Sequence, residues 1–227
     1  METTRPHLVA DGPALDTVGL IHRVREPASP GPHRTVVMLH GRGGDENVMW
    51  IFASTLPRDW LLVAPRGLKQ DPDGGYSWLP RKRDEWPSLS IFDEAVAAVV
   101  KLIRALPDLY NADPDHIYLM GFSQGAATAY ATALRHPKLV QGIAGLVGFT
   151  PTECDAILDS VPLKGLPVFM AVGARDPMIP LERARESAQT LRQAGASLDY
   201  HEHDTGHRLN AEGMRALKRW WQARSAE

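Results

Sequence analysis

Sulfur chemistry is nearly absent from this chain. Cys154 is the only cysteine in 227 residues, so no internal disulfide can form and a reducing, cytoplasmic setting is expected. Thr150-Pro151-Thr152-Glu153 before it offers no activating base, and the thiol reads as inert. Excess charge of one sign is missing too. The 25 basic and 27 acidic residues leave a net −2, which gives no general attraction to nucleic acid or to an anionic membrane surface. Long apolar runs are lacking: the longest tract, residues 95–100, is interrupted by Lys101, and METTRPHLVADGPAL at the start holds no apolar core of signal-peptide length. Neither stable membrane association nor secretion is expected. His201 and His203, as H-x-H, could suggest a metal, but no further ligand cluster accompanies them. Solvated strand positions are the favoured reading, with neither metal nor cofactor implied.

What is present suffices for one core. At 44% hydrophobic, residues 1–227 are expected to form a single α/β domain, with 1–14 as a peripheral N-terminal extension. Short β-branched runs at 35–39 (TVVML), 60–64 (WLLVA), 140–149 and 167–172 (PVFMAV) read as buried strands of a mostly parallel sheet. Residues 17–25 alternate as an edge strand and 197–203 as a final one. Helices are expected over 46–56, over 91–106 with Ser90 as cap, over 181–194 and over about 211–224. Only residues 150–166 separate two of the strands, room for one short helix at 153–160 and not for a large cap domain.

The chain is organised around residues 116–136. There an apolar strand runs into Gly121-Phe122-Ser123-Gln124-Gly125 and a small-residue helix follows without a loop. A serine can stand clear of a sheet edge only if strand turns to helix in about one residue, which strains its backbone and demands glycine on both sides. The pattern is that of a nucleophile elbow. An ordinary strand-to-helix turn with Ser123 as a cap is the alternative, and the flanking strand and helix weigh against it.

Two other loops leave strand ends. His40-Gly41-Arg42-Gly43-Gly44-Asp45 is glycine-rich but matches neither a dinucleotide fingerprint nor a Walker motif, so half of an oxyanion hole is the better reading than a phosphate cradle. The Arg42 side chain is left open between a solvated and a functional role. Residues 65–87 form a loop long enough to be functional, overhanging the same face. Tyr76 and Trp78 are candidates for a substrate wall, with simple packing beneath the loop equally open, and Met178 joins them as a third candidate. Arg81-Lys82-Arg83 reads as solvated surface rather than an anion site. Trp220 and Trp221 serve either a homodimer contact or, more readily, the anchoring of the last helix.

Ser123, then Asp176, then His207 each follow a strand, the chain order of α/β-hydrolases. Pro177 keeps Asp176 out of helical geometry, and Gly206 precedes His207. His201 and His203, Asp199 and Asp204 are weaker rivals.

Leu39-His40-Gly41-Arg42-Gly43-Gly44-Asp45-Glu46, the Gly-Phe-Ser-Gln-Gly elbow, Gly173-Ala174-Arg175-Asp176-Pro177 with Pro180, and Gly206-His207 together resemble the carboxylesterase/phospholipase family of α/β-hydrolases, which includes acyl-protein thioesterases. The resemblance spans about residues 15–222. It implies an α/β-hydrolase fold, hydrolysis of a small-molecule ester, Ser123 as nucleophile, Asp176 and His207 as its partners, and the N–H groups of Arg42 and Gln124 as oxyanion donors. Arg42 departs from the leucine of many eukaryotic thioesterases in the family.

Overall fold

The computed structural model describes residues 4–80 and 85–225, and the statements below concern these residues. The Arg81-Lys82-Arg83 triplet lies outside them. Ten strands form: β1 (His7–Val9), β2 (His22–Arg25), β3 (His33–Leu39), β4 (Leu61–Pro65), β5 (Lys69–Gln70), β6 (Tyr76–Ser77), β7 (Ala112–Phe122), β8 (Gly142–Leu146), β9 (Pro167–Gly173) and β10 (Ser197–His203). The helices are α1 (Gly12–Val18), α2 (Asp93–Tyr110), α3 (Gln124–Arg135), α4 (Asp155–Leu158), α5 (Leu181–Gln193) and α6 (Ala211–Ser225).

Period-two burial builds the sheet. In β3, Val37 and Leu39 join one core while Val36 and Met38 join the other, and β4 and β7 divide their apolar residues likewise. Both faces are therefore covered, as a parallel sheet requires. The order is β1-β2-β4-β3-β7-β8-β9-β10, parallel from β4 onward, with β1 and β2 antiparallel at one edge. The chain runs from β3 to β4 and then crosses back over β3 to β7. The carboxyl ends of β3 and β7 thus form a topological switch point, where open α/β sheets leave a crevice. The β8–β9 connection holds only α4 among the described residues, so no large cap covers that crevice.

Several local expectations change. The alternation over 17–25 yields strand only from His22, because α1 closes at Val18 and Gly19, at φ 77, ends it in the left-handed conformation. The opening residues supply β1 at the sheet edge. Residues 48–55 form a 3-10 segment (Val48–Thr55) rather than the α-helix expected over 46–56. A second 3-10 turn, Leu89–Phe92, precedes α2, and Ser90 makes no capping bond to it. Strand β8 stops at Leu146, since Val147 adopts φ 42. Trp221 is fully buried and Trp220 nearly so; Trp221 meets Trp60 and Tyr118 edge-on and Trp220 tilts against Phe169, so this pair anchors α6 and offers no dimer surface. His203 is buried rather than solvated.

Candidate active site

Strand β7 delivers Ser123 at φ 53, ψ −117, a conformation strained for any side-chain-bearing residue, and α3 begins at the next position. The flanking glycines are a steric necessity. A Cβ on Gly121 would lie 2.3 Å from the Gly125 carbonyl oxygen, and one on Gly125 would lie 2.1 Å from that of Leu39. The elbow therefore presses its helix directly onto β3. The Ser123 hydroxyl makes no hydrogen bond to a described residue.

The loop after β3 is pinned on three sides. His40 Nδ1–H donates to the Gly41 carbonyl at 2.7 Å, while Nε2 accepts the Gly67 N–H at 2.7 Å. A backbone N–H needs a lone pair opposite, so this imidazole is the neutral Nδ1–H tautomer, and burial holds its pKa below the ordinary histidine value. The Gly43 N–H donates to Tyr76 O and the Tyr76 N–H to Gly44 O, both at 2.8 Å. Arg42 grips the buried Asp71 bidentately, through Nε at 2.6 Å and Nη2 at 3.0 Å, and reaches Asp73 at 2.7 Å. The hydrogen bonds to Asp71 raise the Arg42 pKa further. With everything around it fixed, the Arg42 backbone N–H is left without a hydrogen-bond partner among the described residues, as is that of Gln124 at the head of α3. Two unpaired donors at the rim of one cavity can stabilise a developing oxyanion.

Past β9, Asp176 is buried and accepts three hydrogen bonds. Its Oδ1 takes the N–H groups of Met178 (2.8 Å) and Ile179 (3.1 Å), and its Oδ2 takes Nδ1–H of His207 at 2.7 Å. A carboxylate only accepts, so His207 Nδ1 carries a proton, and in the neutral imidazole Nε2 is the nitrogen with the free lone pair. Parallel pairing of β9 with β10 brings these two loops together, so tightly that a Cβ on Gly173 would meet the Gly206 oxygen at 2.2 Å. The Phe122 ring meets the imidazole edge-on at 5.3 Å. His207 and Ser123 line one cavity of about 390 Å³ with Met178, Asp71 and Asp73, without a hydrogen bond between the two.

A second cavity of about 250 Å³ also meets Ser123, walled by Leu79, Trp86, Phe149, Met178 and Ile179, with Glu85 and Gln124 among its polar members. Neither Tyr76 nor Trp78 lines it. Trp78 is 1% exposed and its Nε1–H donates to His40 O at 2.9 Å. Tyr76 lies under the Arg66 guanidinium, 4.6 Å from its ring centre, and Arg66 in turn holds the buried Glu46 bidentately. Both aromatics support the loop; Trp86 takes the place at the wall. The rivals are spent elsewhere: Asp204 pairs with Arg175, and Asp199 with His201. Burial pushes the Cys154 thiol pKa up.

Sequence reasoning missed the Gln124 side chain, whose Oε1 accepts the Trp78 N–H (2.8 Å) and the Ser77 hydroxyl (3.0 Å). It also missed Asp71 as the partner of Arg42. The turn signal Asp71-Pro72-Asp73-Gly74-Gly75 was the available hint: a Cβ on Gly75 would lie 2.1 Å from the Gly43 oxygen, so this turn was built to approach another backbone.

Comparison with known proteins adds the following. The phospholipase/carboxylesterase family model matches residues 21–224. A probable inactive carboxylesterase of Oryza sativa subsp. japonica is 28% identical over 218 residues, covering 86% of this chain and 87% of its own. The putative hydrolase MhqD of Bacillus subtilis is 27% identical, with 82% and 91% covered, and acyl-protein thioesterase 1 of Kluyveromyces lactis 26%, with 79% and 86%. Among solved structures, the carboxylesterase from Mesorhizobium loti superposes with a TM-score of 0.79 at 20% identity, covering 96% of this chain and 98% of that one. At that identity the likeness shows the fold, that of the α/β-hydrolases.

Proposed function

Because the chain belongs to the phospholipase/carboxylesterase family, we propose that it is a serine hydrolase of carboxylic esters working through Ser123, His207 and Asp176. One juxtaposition carries the reading: a serine held at φ 53 shares its cavity with a histidine that a buried aspartate orients at 2.7 Å. His207 Nε2 takes the Ser123 hydroxyl proton as Oγ attacks the ester carbonyl. The N–H groups of Arg42 and Gln124 hold the resulting oxyanion. Collapse transfers the proton to the departing alcohol and leaves the acyl group on Oγ. A water activated by His207 then releases the acid and restores the serine. A hydrogen bond from Ser123 to His207 forms only with substrate in place, since catalytic contacts in unliganded sites are often long or poorly aligned.

Proton delivery divides the two cavities. The leaving alcohol must lie beside His207, so the cavity lined by His207, Asp71 and Asp73 receives it. The cavity without His207, with its Leu79, Trp86, Phe149 and Ile179 wall, takes the acyl chain. At about 250 Å³ it lies just below the usual range of small-molecule sites, so short and medium acyl chains are the expected substrates. A cytoplasmic setting accords with a lone, buried, unpaired cysteine.

Turnover of p-nitrophenyl butyrate tests the chemistry. Ser123→Ala should abolish it together with labelling by a fluorophosphonate, and Asp176→Asn should cost about 10⁴-fold through loss of the correct histidine tautomer. Full activity in Ser123→Ala overturns the assignment. A non-catalytic reading has one point in its favour, the inactive designation of the rice relative, and it predicts an unlabelled Ser123 in folded wild-type protein. Thioester preference is measured by running the matching S-acyl compounds in the same assay.

A further inference from the structure

A cavity of about 700 Å³ opens at the edge of the sheet opposite Ser123, between the end of the 3-10 segment, the loop leading into β4 and the last turns of α6. The position follows from pairing: Arg25 closes β2 opposite Leu62, at the start of β4, whereas Ser123 follows the carboxyl end of β7. Arg25, Arg58 and Lys218 line the cavity against a single carboxylate, Asp59. None of the three cations forms an ion pair among the described residues, and neither does Asp59. Ser54, Gln222 and Ser225 add neutral polar groups to the wall.

Arg25 is the telling member. Its guanidinium is partly buried, its Nη2 donates to Pro57 O at 3.2 Å, and its Nε is buried with no hydrogen-bond partner. Burial, and next the nearby Arg58 charge, lower its pKa, the reverse of the rise seen for the paired Arg42 and Arg66. Guanidinium groups withdrawn from water are ordinarily matched by a carboxylate or phosphate, because an unpaired desolvated charge is costly and unsatisfied buried donors are rare. Here the chain supplies like charge instead. The missing counter-charge is therefore expected from outside.

We propose that this cavity binds a small organic molecule carrying two or more anionic groups, phosphate or carboxylate. Its lining has an excess of two positive charges, which matches a dianion or higher. Its volume falls in the range of small-molecule sites, far more than a lone inorganic ion fills. Arginine presents its donors as a planar fork suited to either oxyanion. The site shares no residue with the cavities around Ser123, so it stands or falls apart from the esterase reading.

The test titrates the full chain with sodium pyrophosphate and, separately, with citrate, at constant ionic strength of about 0.15 M, followed by calorimetry and thermal melting. Saturable one-to-one binding of either probe is expected, and which one binds tighter identifies phosphate or carboxylate as the preferred group. At a hundredfold excess over Kd the melting temperature should rise by about 5–10 °C for a chain of this size. Arg25→Gln should weaken binding at least tenfold. If that variant folds poorly, the exposed double variant Arg58→Gln/Lys218→Gln serves instead, with unchanged ester turnover as its folding control. No saturable binding of either probe, or undiminished affinity in the double variant, overturns the proposal.

Discussion

Replacing Gln124 with alanine removes an acceptor and leaves the proposed oxyanion N–H in place. The Oε1 atom takes the Trp78 N–H at 2.8 Å and the Ser77 hydroxyl at 3.0 Å, tying the segment that lines the acyl cavity to the first turn of α3. Ser77 has the Leu79 carbonyl as a second acceptor at 2.8 Å, so its share of the loss is small. Trp78 has no such recourse, since the residue is 1% exposed and its amide cannot turn to water. An orphaned buried donor costs about 1–3 kcal/mol, which for a chain of this size lowers the melting temperature by about 4–8 °C at the middle of that range. Gln124→Glu separates the two roles. Its carboxylate still accepts both bonds, so the melting temperature should return to within about 2 °C of wild type. It also adds a negative charge beside the proposed oxyanion site; a like charge at ~6 Å costs about 3 kcal/mol at an effective dielectric of about 20, so kcat should fall by about 10²-fold. Alanine should thus melt early and turn over within about tenfold of wild type, and glutamate the reverse. Thermal melts and p-nitrophenyl butyrate kinetics on the two variants read this directly. An alanine variant melting like wild type, or a glutamate variant melting as low as alanine, refutes the reasoning.

His22 and His40 are both held below the ordinary histidine pKa, chiefly by burial. The unfolded chain then binds protons more readily than the folded one, so stability is complete above pH 6.5 and falls as pH drops below it. A melting temperature flat from pH 7 to pH 5.5 contradicts this. Trp86→Ala opens the wall beside Phe149, against which its ring packs at 4.9 Å, and should raise KM for butyrate about tenfold while moving the optimum to longer chains. Tyr76→Phe should leave the chain-length profile unchanged, because that ring faces Arg66 and not the cavity. Gly125→Ala puts a methyl 2.1 Å from Leu39 O and should yield little folded, labelled enzyme in a fluorophosphonate gel.

Much of this architecture is written locally. The apolar stretches within β3, β7 and β9 are continuous because both sheet faces are covered there, and a two-sided strand needs no polar alternation. Where the text misled, longer-range constraints had intervened. Residues 17–25 alternate convincingly, yet Gly19 in the left-handed region divides them. The apolar content of residues 48–55 fits a helix, but a local pattern does not distinguish i→i+3 from i→i+4 bonding, which depends on where the two ends are tied. An aromatic residue in a long loop declares that it will be covered without declaring by what, and so Tyr76 and Trp78 read as candidates for a wall that Trp86 occupies.

The order Ser123, Asp176, His207, the glycines that let the elbow turn, and the hydrophobic period that assigns each strand its faces were all determined by the sequence, because backbone strain and burial act over a few neighbouring residues. Tertiary structure alone decided that Asp176 meets His207 through the parallel pairing of β9 and β10, that Gln124 and Arg42 are both braced on the Asp71 to Trp78 turn, and that Arg25 is left without a counter-charge. Those depend on residues tens of positions apart. They are fixed by strand order and register, which no local pattern encodes.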